Sequence, residues 1–138
     1  MTASPADRLG EVRDVAGGAV RVVVLPADLD RHLAGQVRPI VKAAIDKGRH
    51  LVIDMHATQV IDSAGLGLLV RAHRSARRRG VTLCLVAPSR FVLTVLHTMH
   101  LDGVFPISPD QATALSELEG VRPPGHAPVS GRVRATVG

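Results

Sequence analysis

Apolar residues recur along the chain with two alternating periods. Ala19–Leu25 (AVRVVVL), residues 51 to 55 (LVIDM) and Val81–Val86 (VTLCLV) are short runs of valine, leucine and isoleucine bounded by turn residues, the pattern of buried strands. A weaker strand is predicted from Leu9 to Val15. The Gly17-Gly18 turn leaves so short a connection that it and the next strand must pair antiparallel. Between these runs the period lengthens to that of a helix. Leu33, Val37, Ile40, Val41, Ala44 and Ile45 follow helical spacing from a cap at Asp30 to a stop at Gly48, although Pro39 predicts a kink or a start near Arg38. Leu66, Leu69, Val70, Ala72, His73 and Ala76 do the same from Ser63 to Arg79, closed by Gly80. A third helix starts at Pro88-Ser89, with Val92, Val95, Leu96 and Met99 on one face. Leu101, Val104, Phe105 and Ile107 form a closing strand or packed turn, and Ser108-Pro109-Asp110 opens a last helix with Ala112, Leu115 and Leu118 as its buried stripe. Strands alternating with helices imply parallel pairing after the first hairpin. The fold class is therefore α/β, a single domain with a small mixed sheet of four to five strands flanked by about four helices.

Composition sets the limits of this domain. A chain of 138 residues suits one core. Aromatic residues make up 1 % of the sequence, so valine, leucine, isoleucine and alanine must fill the interior. Phe91 and Phe105 alone do not supply the stacking platforms of single-strand nucleic-acid binding. The start of the chain is small and polar and periodicity is lost after Gly120, so residues 1–8 read as a flexible N-terminus and 120–138 as a disordered basic tail rich in Pro and Gly. The net charge is +5, of which Arg122, Arg132 and Arg134 contribute +3. A cluster of Arg71, Arg74, Arg77, Arg78 and Arg79 reads as a solvated helix face, with a patch for an acidic protein as the alternative. Cys84, the only cysteine, reads as a small buried hydrophobe. No stretch approaches the roughly 20 apolar residues of a membrane span. The expected location is cytoplasmic, with no signal peptide.

The richest chemistry lies where the period switches, at Asp62-Ser63-Ala64-Gly65-Leu66-Gly67. Asp and Ser both cap helix N-termini, which places Ser63 at a helix start near a loop surface, at the carboxyl end of a parallel strand. Free amides and the helix dipole there tolerate an added phosphate. Gly65 and Gly67 weaken a helix by roughly 1 kcal/mol each relative to Ala, and close approach of another backbone is a reason to keep them. A hydrolase would need Ser63 as nucleophile, but Ile61 stands where the G-x-S-x-G elbow needs its first glycine. His56, His73, His97 and His100 are candidate bases that nothing in the sequence fixes beside Ser63. The His97 and His100 pair lacks further metal ligands, and SAGLG lacks the lysine of a phosphate-cradling loop. No catalytic residue, metal site or cofactor is assigned.

Leu25–Asp30 (LPADLD), His50–Met55, Val60–Val70 (VIDSAGLGLLV), Gly80–Ser89 (GVTLCLVAPS) and Leu101–Ile107 together resemble the anti-sigma factor antagonists, members of the STAS domain family. The resemblance spans about residues 9–119. It implies that Ser63 is the phosphoacceptor of an ATP-dependent serine kinase that is also the anti-sigma factor, with a phosphoserine phosphatase as a further partner. Unphosphorylated protein would bind that anti-sigma factor and free a sigma factor, with no direct nucleic-acid contact. The implied partner surface is Asp28, Asp30, Asp62, Ser63, Ala64, Gly65 and Leu66. Two positions depart from the family pattern: Pro26-Ala27-Asp28 precedes Leu29-Asp30 where Gly-Glu-Leu-Asp is common, and Ala64 stands where some members carry a second serine. The alternative is a STAS-like structural or ligand-binding subunit of a transport or signalling assembly, indifferent to Ser63.

Overall fold

The computed structural model describes residues 11–119. Five strands form one sheet in the order β1-β2-β3-β4-β5, comprising Glu11–Val15, Val20–Val24, His50–Asp54, Leu83–Val86 and Ile107–Ser108. Strand β1 pairs antiparallel with β2 across a 3-10 turn at Ala16–Gly18, where Gly17 and Gly18 have φ of 68° and 91°. The other three pairings are parallel. The mixed sheet and its helices match the predicted class. The expected domain start at residue 9 and both terminal segments, 1–8 and 120–138, lie outside the described residues.

Four α-helices complete the described residues: α1 (Arg31–Asp46), α2 (Ser63–Arg78), α3 (Arg90–Thr98) and α4 (Gln111–Glu119). Side chains of α1, α2 and α3 share one core with Val23, Leu25, Leu51, Ile53, Leu83 and Leu85. On the opposite sheet face Val20, Val22, Val52, Cys84 and Val86 are covered by Ala114 and Leu118 of α4. Because both faces of β3 and β4 are buried, these strands read as continuous apolar runs without alternation.

Several local expectations are corrected. Helix α1 runs unbroken through Pro39. Proline removes the bond to the carbonyl four residues earlier, here Gly35. Both residues are exposed, so water can solvate that carbonyl, while six buried residues and the Asp30 cap hold the helix. The buried stripe of α4 is Ala114 and Leu118, with Leu115 half-buried and Ala112 exposed. Met99 lies beyond the end of α3 and is 54 % exposed, so it does not share the face of Val92 and Leu96. Strand β4 begins two residues later than expected. Thr82 N–H instead donates to Nδ1 of buried His50, at 3.0 Å.

Candidate functional site

Ser63 lies at the carboxyl edge of the parallel strands, where three connections meet: residues 25–30 after β2, 55–62 after β3 and 87–89 after β4. The first two are tied by their backbones. Leu29 and Ile61 form a parallel bridge, with Leu29 N–H donating to Val60 O (3.1 Å) and Asp62 N–H to Leu29 O (3.2 Å). Thr58, buried, donates its hydroxyl to Ala27 O at 2.7 Å. The third loop joins through Ser89, whose hydroxyl donates to Gln59 O at 2.6 Å and accepts from Val92 N–H to cap α3.

Three carboxylates complete this frame. Asp28 Oδ1 accepts from Gln59 N–H (2.8 Å) and Val60 N–H (3.1 Å). Asp30 caps α1 by accepting from Leu33 N–H at 2.9 Å. Asp62 has two duties. Its Oδ1 caps α2 by accepting from Gly65 N–H (2.8 Å), and its Oδ2 accepts from Arg31 N–H (3.0 Å), the first residue of α1. One side chain therefore couples the two helix N-termini and satisfies amides that would otherwise lack partners. The Pro26 departure leaves this arrangement in place: Pro26 is exposed, and Leu25 N–H donates to Asp54 O in register with the sheet.

Gly65 shows why the motif needs a residue without a side chain. A Cβ there would lie 2.3 Å from Leu29 O, 2.8 Å from Leu29 Cγ and 2.9 Å from Ile61 Cγ1, all below any real contact. The close backbone approach expected of the two glycines is thus present at Gly65. At Gly67 the nearest atoms a Cβ would meet belong to the Arg71 guanidinium, a movable group.

Ser63 is the first residue inside α2 and is exposed. Asp62 is the cap, and the Ser63 hydroxyl has no hydrogen-bond partner among the described residues. The structure gathers all seven predicted partner-binding residues on these two tied loops and the first turn of α2, but gives them different environments. Ser63 is exposed, Ala64 and Leu66 are half-buried, and Gly65 is buried beneath them. Asp28, Asp30 and Asp62 are exposed with carboxylates already accepting backbone amides. Two exposed apolar residues at the same edge escaped the sequence reading. Val60 is 43 % exposed, three residues before Ser63, and Phe91 is 46 % exposed on the first turn of α3. Their signal was weak, because each sits inside an apolar period that also feeds the core.

None of the candidate bases approaches the Ser63 hydroxyl within hydrogen-bond distance. His56 pairs with Asp54 at 2.9 Å, His97 with Asp102 at 3.1 Å, and the His73 ring packs on Phe105 with centroids 5.2 Å apart. Burial pushes the Asp54 pKa up, but hydrogen bonds from Gln111 and His56 outweigh it and hold the carboxyl below its usual range. Burial alone pushes His50 down, and burial followed by the Arg77 charge pushes His73 down. Burial likewise raises the Cys84 thiol. Among the described residues no cluster of three His, Cys, Asp or Glu side chains is placed to hold a metal ion, and no helix is long and apolar enough to cross a membrane.

A mixed sheet with a capped helix on the loop after a central parallel strand defines the class of this protein. Residues 12–114 match the STAS domain family, and the chain belongs to it. An anti-sigma F factor antagonist from Paenibacillus polymyxa is 31 % identical over 106 residues, covering 74 % of this chain and 89 % of the relative. Among solved structures, an anti-sigma-factor antagonist (STAS) domain protein from Planctomyces limnophilus superposes with a TM-score of 0.69 at 24 % identity, covering 79 % of this chain and 97 % of that one. The Bacillus cell fate determinant SpoIIAA in its phosphorylated form superposes with a TM-score of 0.66 at 22 % identity, covering 78 % and 97 %. At these identities the superpositions establish the fold.

Proposed function

We propose that this protein is an anti-sigma factor antagonist whose partner binding is switched at Ser63. Unphosphorylated, it binds an anti-sigma factor with ATP-dependent serine kinase activity and releases a sigma factor. Phosphate on Ser63 ends that binding, and a phosphoserine phosphatase restores it. The observation that carries the proposal is an exposed serine hydroxyl without a structural duty, on a helix start capped by Asp62 and closely packed against Leu29. A solved relative of the same fold in a phosphorylated form and a sequence relative named as an anti-sigma F factor antagonist support it.

The physics of the switch follows from the site. Phosphorylation adds about −1.5 to −2 charges at neutral pH. Inside the protein the first turn of α2 favours that charge, so the fold tolerates it. Across an interface the charge adds to a rim that already carries Asp28, Asp30 and Asp62. A like-charge contact at 4 Å costs about 1 kcal/mol in water and about 4 kcal/mol at an effective dielectric of 20. At about 1.4 kcal/mol per tenfold in affinity, only a partly dehydrated contact switches binding strongly. Ser63 therefore belongs inside the partner interface, where half-buried Ala64 and Leu66 and exposed Val60 and Phe91 supply the apolar surface that excludes water.

The test is incubation with cognate kinase and ATP followed by mass-spectrometric localisation of the phosphate. Ser63→Ala should keep partner binding and lose the switch, with stability within about 0.5 kcal/mol of the parent because the hydroxyl caps nothing. Ser63→Asp should weaken binding. Phosphate on another residue, or equal affinity of the two variants, refutes the proposal.

A further inference from the structure

A second feature is separate from the Ser63 loop. Residues 31–47 and 63–79, which contain α1, α2 and the residues ending them, carry nine Arg and Lys and a single acid, Asp46. The rest of residues 11–119 carries four cations and ten acids. The formal charge is thus segregated, about half the chain's cations being placed on one helix pair. Between α1 and α2 runs a groove of about 230 Å³ with Val41, Ile45, Leu68 and Ala72 as its floor and Arg38 and Arg71 on opposite walls. Asp46 is engaged with Lys42 at 2.8 Å, and Arg79 donates to its backbone carbonyl. Arg38, Arg71, Arg74 and Arg77 have no carboxylate partner among the described residues.

We propose that this groove docks an acidic amphipathic helix of a protein partner, independently of the Ser63 loop. The floor residues are 2–6 % exposed, so the floor sets the register of an incoming apolar ridge while the arginines and their aliphatic stems supply most of the contact. Guanidinium groups on both walls match carboxylates flanking such a ridge. The groove spans residues 68 to 75 of α2, beginning about 7.5 Å along the helix axis from Ser63 and ending about 18 Å from it at 1.5 Å per residue. Other occupants fit less well. Residues 120–138 carry three arginines and no acid, the wrong charge for this site. Nucleic acid would meet an apolar floor without a ring to stack on. A bilayer would find the apolar surface recessed, since the exposed large apolar residues Val60, Phe91, Leu93, Met99 and Ile107 all lie off these walls.

The experiment titrates the isotope-labelled full chain with a synthetic 16-residue helix bearing leucine at i, i+3, i+4 and i+7 and glutamate on both flanks, followed by NMR. Amide shifts should concentrate on residues 38–46 and 68–75, and affinity should fall as salt rises. The exposed pair Arg38→Glu and Arg71→Glu should lose more than tenfold in affinity with an unchanged far-UV spectrum, while Ser63→Asp should change it less than twofold. Equal binding of a scrambled peptide of the same composition would reduce the effect to non-specific charge and overturn the proposal. So would shifts centred elsewhere, closure of the groove by self-association of the free protein, or binding of phosphatidylglycerol vesicles or duplex DNA in place of the peptide with the same sensitivity to the arginine pair.

Discussion

Replacing Gly65 by alanine, with Gly67→Ala as its control two residues away, tests how the start of α2 is held against Leu29. Both sites are helical, and alanine favours a helix over glycine by about 1 kcal/mol. Gly67→Ala should collect much of that gain, because the nearest neighbour of its new methyl is the movable Arg71 guanidinium, at 3.1 Å or more. Gly65→Ala faces a backbone oxygen 2.3 Å away. Relief requires the start of α2 to withdraw from Leu29, and overpacking of this kind costs up to about 3 kcal/mol. Withdrawal also strains the bonds from Leu29 N–H to Val60 O and from Asp62 N–H to Leu29 O, each worth about 1 kcal/mol. Set against the helix gain, the net loss should be about 3 kcal/mol, measured by urea unfolding followed by circular dichroism. The reasoning fails if Gly65→Ala is as stable as the parent, or if the two substitutions destabilise equally. Under the proposed phosphorylation of Ser63, the surviving folded fraction of Gly65→Ala should also be a poorer kinase substrate, since the displaced turn carries Ser63.

Two further outcomes follow from other parts of the frame. Asp62→Ala removes both the α2 cap and the tie to Arg31 N–H and should cost about 2 kcal/mol, whereas Asp62→Asn keeps an acceptor and should cost less; equal losses in thermal melts would show that the cap bonds contribute little. Folded His50 binds a proton more weakly than an unfolded histidine, whose pKa is about 6.5, so the unfolded state takes up more protons as pH falls below that value. Stability should therefore decline from about pH 6.5 downward, by at most about 1.4 kcal/mol per pH unit for this one proton. His50→Asn, which retains an acceptor for Thr82 N–H without titrating there, should flatten the decline, leaving only the part due to His73. An unchanged slope in chemical denaturation between pH 7.5 and 5 would remove His50 as the cause.

The order of elements was legible because it rests on local rules. Valine-rich runs make strands, Asp30, Asp62 and Ser89 stand at helix starts, and Gly48 and Gly80 follow helix ends with φ of 75° and 72°. The motif glycine could be suspected of close packing because it sits at a helical position where glycine is unfavourable. Local rules failed where distant groups decide. Pro39 predicts a kink or a start near Arg38 because its cost is local, while the burial that overrides it comes from packing on α2 and the sheet. Ala112 and Ala114 of α4 are equally apolar in the sequence, and the opposite face of the sheet selects Ala114.

By itself the sequence determined the class of fold, the position of Ser63 at a helix start and the family to which the chain belongs. It did not determine which side chain caps that helix, because Asp62 and Ser63 are both competent and only the geometry leaves the serine hydroxyl unspent. Nor did it show that Asp28 and Asp62 fasten one loop to another, since the amides they accept from lie 31 or 32 residues away. The pairing of α1 with α2 was likewise beyond it. Charge along a chain shows periodicity, but only packing two helices side by side turns scattered arginines into the walls of one groove.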